Sequence, residues 1–146
     1  MRRYVMLLPV LLCSIGTADG QKKDDPLQGS WAVVQMERGG RKPPADLLKS
    51  LKVVIKGNTL KMSDDKGGES ATFKFDRAKK PHEIDLVFKE GPNGDVERTA
   101  LGIFELDGDS LKLAWRKDGG PRPTEFTSIK GERTSELLIL KREKGK

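Results

Sequence analysis

Cysteine is almost missing from this chain. Cys13 is the only one, and it lies in an apolar N-terminal run. Everything after it has no disulfide, no thiolate nucleophile and no cysteine metal site. Histidine is as scarce, with His82 alone, and one histidine without a downstream cysteine excludes the usual zinc ligand sets. Aromatic residues make up 5% of the sequence, and they fall in core-type alternations rather than among clustered basic residues. Nucleic-acid binding needs a basic stripe interleaved with stacking groups, so nucleic acid is not an expected partner. Beyond the N-terminal run, no hydrophobic stretch is long enough to cross a bilayer as a helix, and no transmembrane segment is expected.

That N-terminal run has the three parts of a secretory signal peptide. Arg2-Arg3 is a positive n-region, Tyr4 to Cys13 an apolar h-region broken only by Pro9, and Gly16-Thr17-Ala18 supplies small residues for cleavage. The rival is a lipoprotein signal with Cys13 lipidated, and Leu12 argues against it because a small residue is wanted there. Residues 1–18 are therefore expected to be a signal peptide and 19–26 a flexible lead-in. Residues 27–142 form one domain and 143–146 a charged tail. The product is expected to be exported, to the periplasm or beyond. A domain of this size can bury enough surface to stand without disulfides. The net charge of +6 is spread over basic residues that mostly neighbour acids, as on a solvated surface.

What is abundant is short-range alternation. Asp107-Gly108 separates two alternating apolar runs in residues 101–115, the strongest local signal for a β-hairpin. A two-residue loop pairs Phe104 with Leu111, and a four-residue loop pairs Phe104 with Leu113. Both bury the same face, made of Phe104, Leu106, Leu111, Leu113 and Trp115. Further strands are predicted over 30–37, 51–56, 59–63, 71–75, 83–88, 124–128 and 136–141. Gly57-Asn58 is read as a II′ turn, and one or two turns of helix are expected over 45–50 after Pro44. Eight or nine short strands joined by hairpin-length connections predict an all-β fold, an antiparallel up-and-down barrel of about eight strands with one short helix. The last strand is apolar on both faces, which suits closure against the first.

Four blocks carry a resemblance. Leu27-Gln28-Gly29-Ser30-Trp31, Leu51-Lys52-Val53, Gly102 to Asp109, and Arg122-Pro123-Thr124-Glu125-Phe126 fall in order and closely resemble a family of small exported domains. That family, of planctomycete-type bacteria, has no assigned activity and is regarded as lipocalin-like. Gly29-Ser30-Trp31 is similar to the Gly-x-Trp on the first strand of lipocalins and fatty-acid-binding proteins. The resemblance implies that Trp31 closes one end of the barrel, under a basic residue of the last strand, Arg142 or Lys141, in a cation–π contact. The lipocalin disulfide cannot form here and the second lipocalin block is not recognisable, so the resemblance implies a fold more than an activity.

Candidates for chemistry are few. His82 has no nucleophile and acid beside it in a triad pattern, and Ser70 and Glu83 cannot be brought to it by sequence alone. Asp64-Asp65 and Asp107-Gly108-Asp109 lack calcium-loop spacing and are what tight turns require. No catalytic residue, metal or cofactor is expected. Arg122 and Glu125 are read as rim charges that pin a loop, with presentation of Arg122 to an anionic ligand as the alternative. Phe73, Phe104, Leu113 and Trp115 are the residues expected to line the barrel interior, either around a small apolar or amphipathic ligand or as a solid core. If the core is solid, a basic face of Lys52, Lys56, Lys61 and Lys74 is the expected footprint for an envelope protein or an anionic polymer.

Overall fold

The computed structural model describes residues 25–90 and 93–144. The signal-peptide reading, Cys13 included, lies outside the described residues. In chain order the elements are β1 (Gly29–Arg38), α1 (Ala45–Ser50), β2 (Lys52–Lys56), β3 (Thr59–Asp64), β4 (Gly67–Asp76), β5 (His82–Glu90), β6 (Val96–Asp107), β7 (Ser110–Lys117) and β8 (Ser135–Arg142). Each strand pairs antiparallel with the next, and β8 pairs with β1, so the sheet closes into an up-and-down barrel of eight strands. The fold class is the one that the period-two alternation dictates.

The central hairpin pairs Phe104 with Leu113 and Leu106 with Leu111. Its tight turn is Gly108-Asp109, one residue later than the Asp107-Gly108 dipeptide suggests, because Asp107 still pairs with Ser110. Gly108 has φ +57° and Asp109 is not among the positive-φ residues, the pattern of a II′ turn, which needs glycine at its first central position. Gly57-Asn58 turns in the same way between β2 and β3.

Alternate residues of every strand face inward and merge in one buried cluster that runs from Leu27 and Trp31 through Val53, Leu60, Phe73, Leu86 and Phe104 to Trp115 and Leu140. Because consecutive strands alternate in direction, the barrel has two distinct ends. One gathers the N-terminal approach, the two II′ turns and the end of β8. The other gathers α1, the β3–β4 turn, the end of β7 and the start of β8. Leu48 and Leu51 pack against the core at this second end, which we call the mouth.

The strand predicted over 124–128 is not formed. Residues 118–134 instead run as a strap across the outside of the barrel. Pro121 and Pro123 remove ladder donors there. The strap's Phe126 covers a small outer core of Ile103, Ala114 and Leu137, with Ile139 beside it. This explains why β8 is apolar on both faces: Leu138 and Leu140 face the interior, while Leu137 and Ile139 face the strap.

Candidate functional site

At the closed end, Trp31 is fully buried, and its indole Nε1 donates to the Leu27 carbonyl at 3.0 Å. Arg142 is its register partner across β1–β8 and lies over the ring, with the guanidinium carbon 4.3 Å from the ring centroid. The same guanidinium donates to the carbonyls of Gln28, at 2.8 Å, and Pro26, and pairs with Asp109 at 3.4 Å. One cation therefore ties the chain leading into β1, the β6–β7 turn and β8 into a floor.

Phe73, Phe104, Leu113 and Trp115 all face inward and are 1–3% exposed, but they are spread along the barrel. Phe104 lies toward the floor, 5.9 Å from Phe75 and 5.2 Å from the His82 ring. Phe73 lies on the same side, its ring 6.2 Å from that of Phe75 and its amide bonded to the Asn58 carbonyl of the floor-side turn. Trp115 lies toward the mouth, 5.9 Å from Phe88. His82 Nδ1 is 3.1 Å from the Lys79 carbonyl. Glu83 is engaged by Arg122, and Ser70 sits between Lys61 and Lys89 on the outer wall. Asp64 serves its turn, accepting from the amides of Lys66 at 2.8 Å and Gly67 at 3.0 Å.

Above Trp115 the inward face turns from apolar to charged. Lys117, two residues beyond Trp115, is only 8% exposed. Its ammonium lies 3.4 Å from Glu90, 3.8 Å from Glu69 and 3.8 Å from Glu136, and 4.2 Å above the Phe88 ring centroid. Arg38 pairs with Glu136 at 3.0 Å, and Arg98 with Glu90 at 3.0 Å and Asp118 at 3.3 Å. Four carboxylates (Glu69, Glu90, Glu136 and Asp118) and three cations (Lys117, Arg38 and Arg98) thus form a layer across the mouth. Burial pushes the Glu136 carboxyl above its ordinary value of 4.5 and outweighs the opposing pull of Arg38 and Lys117. Three buried atoms here have no hydrogen-bond partner: Glu69 Oε1, Glu136 Oε2 and Trp115 Nε1.

Beside this layer, a groove of about 430 Å³ opens between the start of β2 and the β3–β4 turn. Leu51 and Met62 are its apolar lining, Ser63, Asp64, Lys66 and Glu69 its polar lining, and Glu69 is the register partner of Met62.

On the outer wall, Arg122 holds the strap down. It donates to the carbonyls of Gly102 at 2.8 Å and Ile84 at 3.2 Å, and pairs with Asp85 at 2.7 Å and Glu83 at 3.4 Å. Its partners are thus acids of β5 and not Glu125, whose exposed side chain joins no ion pair among the described residues. The site is the barrel wall, not its rim. Lys52, Lys56, Lys61 and Lys74 are exposed on the outside of β2, β3 and β4, and none has an ion-pair partner among the described residues. Register adds Lys89, across Ser70 from Lys61.

The mouth layer was not singled out by sequence reasoning, although its signal is present. Lys117 continues the inward parity of Leu113 and Trp115. Glu136 precedes Leu138 by two, Glu69 precedes Ala71 by two, and Glu90 follows Phe88 by two. Ending each strand at its last apolar residue hides these charges. Among the described residues, no group of three or more histidine, cysteine or acidic side chains is arranged to hold a metal, and no helix is long and apolar enough to cross a membrane. Comparison with known proteins finds no matching family model, no matching curated protein and no matching solved structure.

Proposed function

We propose that this chain is an exported, non-enzymatic, lipocalin-like barrel that holds a small amphipathic molecule at its mouth. The observation that carries this reading is the groove beside Leu51 and Met62. It joins apolar lining to a charged layer at the one end of the barrel that the Trp31–Arg142 floor does not close. The apolar part of the ligand lies against Met62 and Leu51 and toward Trp115. Binding is driven by apolar area leaving water, at about 25 cal/mol per Å². Leu113, Phe73 and Phe104 extend the packed apolar core below Trp115.

Native mass spectrometry of the protein, purified gently from its host and compared with the same sample denatured, tests the reading. Extra mass that disappears on denaturation is expected. A bare chain that also gains no mass from added amphiphiles overturns it.

A second reading rests on a different observation, the unpaired lysines of the β2–β4 outer wall. Lysines of one sign on adjacent strands, with hydroxyl side chains between them, suit an anionic polymer. Retention on heparin that falls steeply with salt, and is lost when Lys52, Lys56, Lys61 and Lys74 are changed together to Glu, is its expected signature. Salt-insensitive retention counts against it.

A further inference from the structure

Resting on the ligand-holding reading, we infer that the mouth selects amphiphiles whose head group donates hydrogen bonds, a protonated amine before a hydroxyl, and discriminates against a carboxylate. The unused hydrogen-bonding capacity of the mouth is mainly that of acceptors. Glu69 Oε1 and Glu136 Oε2 are sheltered from solvent and accept from no group. The Glu136 side chain is only 3% exposed and comes from β8, whereas Glu69 comes from β4, so the two free oxygens belong to strands on different sides of the layer. Buried acceptors left without donors are costly, and a donor that reaches them recovers that cost.

The cations of the layer offer no matching site for an anion. Lys117 is ringed by three carboxylates and capped by the Phe88 ring. Arg38 is held by Glu136, and Arg98 by Glu90 and Asp118. An incoming carboxylate would meet two carboxylate oxygens with free lone pairs, in surroundings that screen charge poorly. An ammonium meets the same oxygens as partners, in charge-assisted hydrogen bonds. Trp115 Nε1 is a free donor on the inward face, the other buried free donor among the described residues being Arg116 Nε on the outer wall, and a hydroxyl head group can accept from Trp115 while donating to a glutamate. This places the hydroxyl second. The groove supplies the route, because Glu69 lines it together with Leu51 and Met62; Lys66, its one lining cation, is exposed to solvent on the β3–β4 turn beside Asp64, where its charge is screened by water.

Calorimetric titration of the protein with dodecylamine, dodecanol and dodecanoate, each below its aggregation concentration, tests the inference. Dodecylamine is expected to bind about tenfold or more tighter than dodecanoate, with dodecanol between them. Glu69→Gln is expected to weaken the amine about tenfold and to leave the alcohol nearly unchanged. The Glu69 side chain is 26% exposed, and circular dichroism of the variant checks its fold. Dodecanoate binding as tightly as dodecylamine overturns the inference and leaves the ligand-holding reading intact. So does an amine preference that survives in the folded variant. Binding of none of the three removes both, and the free atoms are then served by water.

Discussion

Arg142 shows how much one side chain can organise. Its guanidinium covers the Trp31 ring and accounts for the carbonyls of Pro26 and Gln28, so truncation removes a cation–π contact and leaves carbonyls without a donor. Arg142→Ala is expected to lower stability by about 2 kcal/mol in denaturant unfolding, and a change within error would show that the floor is held by packing alone. Glu136 makes the opposite kind of contribution. Its carboxyl sits above its ordinary 4.5 because burial disfavours the charged form. Between 4.5 and the raised folded value, the folded chain keeps a proton that the unfolded chain has released. This contribution to stability is therefore fully present below 4.5 and is lost as pH rises through the folded value. Unfolding the wild type and Glu136→Gln across a pH series that starts near 4.5 should show the wild type losing ground to the variant as pH rises. Parallel curves would count against a burial-driven shift.

The elements were legible in proportion to how local their causes are. The II′ turn at Gly57-Asn58, the alternation along the strands and the short helix follow from neighbours in sequence, whereas the central turn lies one residue later than Asp107-Gly108 suggests because Asp107 still pairs with Ser110. The strap differs from the expected strand because Phe126 looks the same in sequence whether it fills a strand or covers one. What decides the matter is Arg122, which reaches the carbonyls of two other strands across more than fifteen residues of sequence. The mouth was missed for a related reason: its charges lie beyond the apolar part of each strand, and only closure of the barrel brings Lys117, Glu69, Glu90 and Glu136 together. Two substitutions test these elements. Arg122→Ala should speed amide exchange in residues 119–133 by about tenfold and leave the strands protected, and uniform acceleration would mean that strap and barrel open together. At the β6–β7 contact, a Cβ on Gly102 would lie 2.7 Å from the Ala114 carbonyl oxygen and 3.2 Å from Ile84. Gly102→Ala should therefore cost about 1–3 kcal/mol in the same unfolding measurement, and a neutral result would show that these strands can separate slightly without loss.

For the whole molecule, the decisive pairing is the most distant one. β1 and β8 join Trp31 to Arg142, so the sheet cannot close until nearly the whole described domain is in place. Topologies dominated by such contacts fold on the order of milliseconds to seconds. Stopped-flow refolding followed by the fluorescence of the buried Trp31 and Trp115 should fall in that range, and microsecond refolding would contradict a closure-limited mechanism. The same pairing brings the two termini of the described domain side by side: Arg142 is bonded to Pro26 and Gln28, and the Glu143 amide to the Ser30 carbonyl at 2.9 Å. Both ends leave from the floor. An attachment made directly at either terminus of the described domain would therefore put the floor on the attached side and the mouth on the far side. A short peptide joining the two ends would let the chain be reopened elsewhere without disturbing that orientation.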